Sequence, residues 1–294
     1  MTSNIPNKIS FTFFGSSHFS IIVLDELERA GFIPACVVTT PDKPQGRKLI
    51  LTPNPVKVWA QQRNILVYYP EKLDAAFIEH CKLSIEHCSV FIVASYGKII
   101  PASIIDMPLR KTLNIHPSLL PIYRGASPLQ SAILDDAKHT GVTIMRIDEK
   151  MDHGPLVAQQ EVIVSEWTAY EVFEDMMART GAHLLAQILP EWVAGTLKEK
   201  EQNHSRANYT KKTVKTDGLV DLTSPDQYLT FRKIQAYHEW PQAYFMHTHK
   251  GKDIRVKITS ASFKDGKLSI EKVIPEGGKE MSYKDFQSGY VNIY

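Results

Sequence analysis

Two side chains that could act on a carbonyl carbon stand two residues apart in the stretch NIHPSLLPIYRGASPLQ (114–130). Asn114 carries an amide and His116 an imidazole, and both groups can donate a hydrogen bond to an oxygen that gains negative charge. Asp152, in the turn EKMDHG (149–154), offers a carboxylate that can orient the imidazole or exchange a proton with it. These residue types favour acyl transfer by direct attack of a bound amine, because no GxSxG motif or neighbouring cysteine supplies a nucleophile.

Spacing alone leaves other interpretations open for this and for two further motifs. A histidine at a strand end, such as His116, can simply bond to the backbone of the following loop. Gly15 in FFGSSHF (13–19) follows a predicted strand but lacks the second and third glycines of the dinucleotide-binding fingerprint. The pattern HC-x5-HC is not a usual zinc spacing, so we expect no metal at its four members, which are His80, Cys81, His87 and Cys88.

The elements that must position Asn114 and His116 alternate between short β-rich runs and amphipathic stretches. The pattern predicts strands at 9–15, 33–40, 65–69, 88–97, 111–113, 141–148 and 155–164, and helices at 19–31, 54–64 and 167–192. This alternation predicts an α/β fold with a mainly parallel, doubly wound sheet. Asn114 and His116 would then face one side at the carboxyl edge of the sheet, where such folds bind ligands.

The rest of the chain predicts a second, smaller and β-rich domain. Residues 204–216 are polar with little periodicity, and we interpret them as a linker between a catalytic domain at 1–203 and a C-terminal domain at 217–294. A short helix is predicted within 228–241, and strands within 245–263 and 267–274. Residues 201–294 hold 15 Lys and Arg against 11 Asp and Glu. This basic balance suits contact with phosphates, although an ordinary solvated surface explains it as well.

Composition places the chain in a broad class. With 43% hydrophobic and 22% charged residues among 294, it has the balance of a globular protein rather than of a disordered one. No apolar run approaches the roughly 18 residues of a spanning helix, and the first residues have no signal-peptide pattern. Three cysteines argue against a disulfide framework. We therefore expect a cytoplasmic protein that does not enter a membrane.

The wider string NIHPSLLPIYRG, with the MDHG turn some thirty residues later, resembles the formyltransferase family that uses 10-formyltetrahydrofolate. The branch of that family that acts on methionyl-tRNA is matched by further motifs, namely VVTTPDKPQGR (37–47), VASYGKIIP (93–101), DGLVDL (217–222) and GGKEMSYKDF (277–286). The resemblance implies a Rossmann-like formyltransferase domain followed by a smaller, barrel-like C-terminal domain. That second domain looks shortened, because SASFKDGKLSI (260–270) lacks the Pro-Gly turn of the family.

The resemblance also implies the reaction. The enzyme would transfer a formyl group from 10-formyltetrahydrofolate, its co-substrate, to the α-amino group of methionine on initiator tRNA, for translation initiation. It would act as a monomer and need no metal. A formyltransferase acting on an amino sugar nucleotide remains an alternative, which the shortened tail keeps open. A non-catalytic relative that only binds folate or tRNA is a second alternative, against which the three intact candidate catalytic residues argue.

Site residues carry over from the family position by position. Asn114, His116 and Asp152 match the catalytic amide, imidazole and carboxylate. The residues that match folate-binding positions are Ser118, Leu119, Leu120, Pro121, Tyr96, Gly97, Lys98 and Ile99. Arg47 matches an arginine used on tRNA, and Lys43 and Lys48 lie in the same loop, TTPDKPQGRKLILTP (39–53), whose prolines and glycine predict no regular structure. His153 and Pro155 depart from the small polar and acidic residues expected beside the catalytic carboxylate.

Overall fold

A computed structural model describes residues 9–45 and 49–290. They divide into two compact units, each assembled from three segments. The first unit contains the described residues up to Arg124, Gly141–Val162 and Asp175–Tyr209, and the second contains Gly125–Thr140, Ile163–Glu174 and the described residues from Thr210 onward. The domain boundaries predicted from the sequence stay a prediction. Within the described ranges, no helix has the length and apolar character needed to cross a membrane.

The secondary structure follows the predicted alternation. The strands are β1 (Phe11–Gly15), β2 (Cys36–Val38), β3 (Lys43–Gln45), β4 (Ile50–Thr52), β5 (Leu66–Tyr68), β6 (Val90–Ala94), β7 (Thr112–His116), β8 (Arg124–Gly125), β9 (His139–Arg146), β10 (Leu156–Ile163), β11 (Tyr209–Thr210), β12 (Tyr244–His249), β13 (Lys252–Lys264), β14 (Lys267–Pro275) and β15 (Met281–Ser282). The helices are α1 (His18–Arg29), α2 (Pro55–Gln62), α3 (Ala75–Ile85), α4 (Ala102–Ile105), α5 (Pro128–Leu134), α6 (Tyr170–Ala194), α7 (Gln227–Ala236) and α8 (Tyr283–Gly289). Two 3-10 turns lie at His204–Arg206 and Lys215–Gly218.

A seven-stranded sheet with the order β10-β9-β7-β6-β1-β2-β5 carries the site. The neighbours from β7 to β5 pair in parallel, whereas β7 and β9 pair antiparallel. Every residue of β1 and β6 is buried, as expected for parallel strands covered on both faces. The predicted mainly parallel α/β fold is therefore confirmed.

The motif FFGSSHF packs the first helix onto this sheet. Ser17 caps α1, and the Ser20 hydroxyl donates to the carbonyl oxygen of Ala94 in β6 at 2.7 Å. A Cβ atom at Gly15 would lie 2.6 Å from the Phe13 ring and 2.7 Å from the Ser20 side chain. Gly15 is thus required for close helix packing, which explains its presence without a dinucleotide.

One local prediction was wrong, and one helix was not predicted. The loop 39–53 contains regular structure, because β3 and β4 pair antiparallel with Lys43 opposite Thr52. Pro44 is tolerated because this hairpin forms its own two-stranded sheet, where a missing N–H need not interrupt a central ladder. The helix α3 was also missed, although its buried side chains recur every four residues, at Phe77, Cys81 and Ile85.

The second unit contains the predicted β-rich region. The strands β12, β13, β14 and β15 follow one another in a four-stranded sheet whose neighbours are all antiparallel. The long strand β13 has an irregular register between Ile258 and Ala261. Helix α7 buries Phe231 and Ile234 and contacts β13, β14 and α5. Among the described residues β12 and β15 form the two edges, so these four strands form an open sheet and not a closed barrel.

Candidate active site

The carboxyl end of β7 places two of the candidate catalytic residues. Asn114 pairs with Val93 of β6 and with Met145 of β9, and His116 pairs with Thr143 of β9. Alternation along the strand puts both side chains on the same face. The His116 residue is only 4% exposed, whereas Asn114 is half-buried. The amide therefore remains accessible from the edge of the sheet, while the imidazole is held inside.

Both nitrogens of the His116 ring face an oxygen. The Nε2 atom lies 2.9 Å from the backbone oxygen of Tyr123, and Nδ1 lies 3.7 Å from Oδ1 of Asp152. The first contact is a hydrogen bond, and the second is within ion-pair range but longer than a hydrogen bond. His116 therefore contacts loop backbone, as one interpretation of the sequence predicts, and also faces the carboxylate, while its catalytic role stays a prediction.

The turn that carries Asp152 has a demanding backbone. Asp152 has φ of +49°, in the left-handed region that few residues other than glycine adopt. A Cβ atom at Gly154 would stand 2.0 Å from the carbonyl oxygen of Arg146, so only glycine fits there. Two hydrogen bonds from Gln202 Nε2 hold this turn, at 3.0 Å to the backbone oxygen of Asp152 and at 2.6 Å to the backbone oxygen of Gly154. The carboxylate is therefore presented to His116 by a fixed loop.

His153, which replaces the small polar residue expected after the catalytic carboxylate, contacts Asp148 and His204. Its Nδ1 atom lies 2.7 Å from Oδ2 of Asp148, and its ring stacks on His204 with 4.1 Å between ring centroids and 4° between planes. The unexpected residue is thus accommodated by its contact with Asp148 and by stacking on His204.

The predicted folate segment 118–121 is fixed by a polar side chain of β9. Thr143 Oγ1 donates to the Ser118 carbonyl oxygen at 2.6 Å and accepts from the Leu120 N–H at 3.1 Å. Ser118 is fully buried and donates its hydroxyl to the Ile122 oxygen at 2.6 Å, and Leu120 is also buried. The buried Ser118 and Leu120 side chains therefore stabilise the conformation of this loop. Leu119 and Pro121 are half-buried and lie closer to its surface.

The second predicted folate segment, 96–99, follows β6 at the same sheet edge. The Gly97 N–H donates to the Ser16 hydroxyl at 3.3 Å, and Lys98 Nζ donates to the Pro70 and Glu71 carbonyl oxygens at 2.8 and 2.7 Å. The Ile99 side chain is 87% exposed.

Tyr96 is the unusual member of that second segment. Its hydroxyl oxygen is buried and meets no partner within the described part of the chain, and burial raises its pKa to about 12. A buried hydroxyl without a partner is a feature that a polar ligand can satisfy. The residues present therefore fit a polar heterocycle bound beside this segment.

The residues predicted to contact tRNA are only partly described. Lys43 is exposed in β3, whereas Arg47 and Lys48 lie outside the described residues. The neighbouring Asp42 is paired with Lys57 Nζ at 2.8 Å and accepts from the Asn54 N–H at 3.0 Å. These contacts fix the base of the hairpin. Its return strand exposes a run of apolar side chains, which are Leu49, Ile50 and Leu51.

Sequence reasoning missed Arg124 and Gln202. The Arg124 guanidinium is almost fully buried and donates to the Gln202 amide oxygen from two of its nitrogens. Arg124 lies in the conspicuous stretch 114–130, but nothing in the local pattern indicates a partner 78 residues away. For the metal prediction, the described residues contain no group of three or more His, Cys, Asp or Glu side chains arranged to hold an ion.

Comparison with known proteins gives this geometry a family. The family model described as "Formyl transferase" matches residues 7–191. The methionyl-tRNA formyltransferase of Chloroflexus aurantiacus is 40% identical over 255 residues, which are 86% of this chain and 81% of the relative. The Bacillus licheniformis protein of the same name is 32% identical over 298 residues and covers 94% of both chains.

Solved structures share the fold at low identity. The methionyl-tRNA formyltransferase from Clostridium thermocellum aligns with a TM-score of 0.61 and 14% identity, covering 93% of this chain and 99% of its own. HypX from Aquifex aeolicus, solved in complex with tetrahydrofolic acid, aligns with a TM-score of 0.67 and 16% identity, covering 98% of this chain and 48% of its own. On the family model and the relatives above 30% identity, the chain belongs to the formyl transferase family.

Proposed function

We propose that this protein transfers the formyl group of 10-formyltetrahydrofolate to the α-amino group of methionine on initiator tRNA. The observation that carries the proposal is the group formed by Asn114, His116 and Asp152 at the carboxyl edge of the sheet, with 3.7 Å between the imidazole and the carboxylate. The relatives at 32 to 42% identity, which are named methionyl-tRNA formyltransferases, support the acceptor.

The three residues divide the chemistry of direct transfer. As the amine forms its bond to the formyl carbon, the formyl oxygen gains negative charge, and the Asn114 amide donates a hydrogen bond to it. Because Nε2 of His116 faces the Tyr123 carbonyl oxygen at 2.9 Å, the second donor to the formyl oxygen would be Nδ1–H of the protonated ring, which lies 3.7 Å from Asp152. The Asp152 carboxylate balances the imidazolium charge and accepts the proton that the amine must lose. When the bond from carbon to N10 breaks, N10 takes the proton that Asp152 accepted, and tetrahydrofolate leaves.

A covalent enzyme intermediate is not needed for this reaction. All three cysteines of the chain, Cys36, Cys81 and Cys88, are buried in the core. Burial raises the pKa of Cys36 to about 12 and that of Cys81 to about 11, so these thiols are poor nucleophiles. Direct attack by the amine is the simplest mechanism that these side chains allow.

Folate binding is proposed for the two segments that follow β7 and β6, which are residues 118–121 and 96–99. The buried and unpartnered hydroxyl of Tyr96 would find a polar partner in a bound pterin, and Leu119, Pro121 and Ile99 offer apolar surface. HypX, which shares the fold, was solved with tetrahydrofolic acid, and this supports a folate co-substrate.

For the tRNA, we propose that Lys43, Arg47 and Lys48 contact phosphates or base edges near the acceptor end. Exposed Lys and Arg are the usual donors in such contacts. The basic balance of residues 201–294 fits a supporting role for the C-terminal part of the chain. The proposal takes the protein to be a monomer that works in the cytoplasm.

The test measures transfer of labelled formyl from 10-formyltetrahydrofolate to three acceptors offered separately: initiator methionyl-tRNA, elongator methionyl-tRNA and an amino sugar nucleotide. We expect formylation of the initiator tRNA alone. Transfer to the sugar nucleotide and to neither tRNA would show that the reaction is formyl transfer but that the proposed acceptor is wrong. Binding of folate or tRNA with no transfer to any acceptor would establish the non-catalytic alternative instead.

A further inference from the structure

A buried arginine lies behind the candidate active site. The Arg124 residue is 2% exposed, and its guanidinium donates to the Gln202 amide oxygen from Nε at 3.2 Å and from Nη2 at 2.7 Å. It also donates to the Tyr209 hydroxyl at 3.1 Å and to His204 Nδ1 at 2.8 Å. These acceptors all belong to one stretch, segment 202–209. Because a buried cation is strongly destabilising without such partners, Arg124 and segment 202–209 fix each other.

Gln202 carries this contact onward to the catalytic turn. Its amide oxygen is used by Arg124, and its amide nitrogen donates to the backbone oxygens of Asp152 and Gly154 at 3.0 and 2.6 Å. Arg124 sets the orientation of this amide, because a guanidinium can only donate and the oxygen must therefore face it. The left-handed backbone of Asp152 needs such outside contacts to persist.

The same segment also holds the loop that contacts His116. The Asn208 side-chain oxygen accepts from the Tyr123 N–H, and its backbone oxygen accepts from the Arg124 N–H at 3.0 Å. The carbonyl of Tyr123 lies 2.9 Å from His116 Nε2. Segment 202–209 is therefore one support for both members of the imidazole–carboxylate pair.

A ring contact adds a third connection to the turn. His204, which accepts from Arg124, stacks on His153, the residue that follows Asp152. Since a guanidinium donates to His204 Nδ1, that nitrogen must carry a lone pair, and the ring keeps its proton on Nε2. The backbone of Asp152 is thus held from Gln202, and its neighbour is held from His204.

We propose that Arg124 and Gln202 are positioning residues for formyl transfer, which hold the Asp152 turn so that its carboxylate faces His116. This inference rests on the proposed function, since it takes Asp152 and His116 as catalytic. Neither Arg124 nor Gln202 need touch a substrate. Their effect on the rate comes from geometry, because a shift of about 1 Å at a reacting group can lower a rate by about 100-fold.

The test uses Gln202→Glu in the 294-residue chain. A glutamate still accepts from Arg124, but it loses both donors and places a carboxylate oxygen against two carbonyl oxygens. The matched control is Gln160→Glu, because the Gln160 side chain is exposed and its Nε2 donates to the Glu161 carbonyl oxygen at 3.1 Å, away from Arg124 and the Asp152 turn. A second variant, Gln202→Met, keeps the volume and removes every hydrogen bond. Circular dichroism and thermal unfolding confirm that each variant is folded at the assay temperature.

We expect Gln202→Glu to lower kcat for formyl transfer by about 10- to 100-fold and to leave KM for 10-formyltetrahydrofolate within about twofold. Gln202→Met should lower kcat as well, and Gln160→Glu should match wild type. A purely structural role would change thermal stability and leave kcat of the folded enzyme unaltered. Full kcat in both Gln202 variants would therefore overturn the inference.

Asp152→Asn separates failure of this inference from failure of the proposed function. If Asp152→Asn is inactive while the Gln202 variants keep full kcat, only the positioning role is lost. If Asp152→Asn is itself fully active, or if the wild-type protein transfers no formyl group, the proposed function fails and the inference fails with it.

Discussion

Two buried charges in the first unit are stabilised in opposite ways. Arg124 is surrounded by neutral acceptors, namely the Gln202 amide, the Tyr209 hydroxyl and the His204 ring. Glu26 is 6% exposed and is surrounded by basic side chains instead, because Arg29, Arg179 and His183 all contact its carboxylate. We call these two regions the Arg124 network and the Glu26 cluster.

The difference concerns where each set of contacts ends. In the Glu26 cluster the three basic side chains are 41 to 63% exposed, so the contacts end at the protein surface. In the Arg124 network Gln202 has a second polar group, its amide nitrogen, which donates hydrogen bonds to the backbone of the candidate catalytic turn. We infer that the Glu26 cluster contributes to stability alone and that the Arg124 network also affects the reaction.

The largest expected effect lies in the site that the Arg124 network supports. Asn114→Ala removes one donor to the developing negative charge, and it should lower the rate by a factor on the order of 10² to 10³. The change should leave the unfolding free energy almost unchanged, because Asn114 is half-buried at the end of β7. Single-turnover formyl transfer and urea denaturation measure the two quantities. A rate near wild type would remove Asn114 from the mechanism.

A variant of the buried cation should affect both quantities at once. In Arg124→Lys a single ammonium replaces the planar fork and cannot reach Gln202, Tyr209 and His204 together. We expect the unfolding free energy to fall by about 1 to 3 kcal/mol, because buried polar groups lose partners, and kcat to fall with it. Unchanged kcat in the folded variant, with stability alone reduced, would make the Arg124 network equivalent to the Glu26 cluster.

The opposite outcome is expected for Glu26→Gln. It removes the charge from the hydrogen-bonded ion pairs with Arg29 and Arg179 and from the hydrogen bond to His183, so the unfolding free energy should fall by about 1 to 2 kcal/mol. The kcat for formyl transfer should equal that of wild type. A clear loss of kcat in this variant would show that the two regions are not as distinct as their contacts indicate.

The contribution of Glu26 should also depend on pH. Burial opposes ionisation of Glu26, but the hydrogen bond from His183 and the charges of Arg29 and Arg179 outweigh it and lower its pKa below the ordinary 4.5. A lowered folded pKa means that the stabilisation is complete above about pH 4.5 and is lost as the pH falls through the folded pKa. The stability difference between wild type and Glu26→Gln should therefore be present near pH 7 and shrink as the pH falls below about 4.5.

The smallest expected effect belongs to the second unit. Both ring nitrogens of His238 face acceptors, with Nδ1 2.8 Å from Glu171 and Nε2 3.2 Å from the Thr259 carbonyl oxygen. Burial opposes its charge, but Glu171 outweighs burial and raises the pKa above the ordinary 6.5. His238→Gln should lower the unfolding free energy by about 0.5 to 1 kcal/mol, since the pair is partly exposed.

The sign of this effect is opposite to that of Glu26. A raised folded pKa means that the contribution is present below about pH 6.5 and is lost as the pH rises through the folded value. Denaturation of wild type and His238→Gln at pH 5.5 and pH 9 measures it. A difference that grows with pH would contradict the assignment of His238 as a cation held by Glu171.

The sequence predicted the part of the site that depends on local patterns. Period-two alternation and the carboxyl-edge rule place Asn114 and His116 together, and β7 and β9 form where the apolar runs predicted strands. Asp152 was grouped with His116 from its residue type and from the family resemblance, and its approach to 3.7 Å could not be predicted, because no local pattern connects residues 36 positions apart.

The Arg124 network could not be predicted, and the reason is physical. Arg124 looks like any loop arginine, and Gln202 lies in a polar stretch without periodicity. Their contact depends on how residues 78 apart in the chain meet after folding. The hairpin of β3 and β4 was missed for another reason, since prolines that exclude central strands are tolerated in an isolated two-stranded sheet.

The most direct test of the account compares Asp152→Asn with wild type in single-turnover transfer of formyl from 10-formyltetrahydrofolate to initiator methionyl-tRNA, with folate binding measured in parallel. We expect the rate to fall by a factor on the order of 10² or more, because the carboxylate faces His116. Folate should still bind, because Asp152 is not in either proposed folate segment. A wild-type rate in Asp152→Asn would contradict the central claim that this edge of the sheet carries out the reaction.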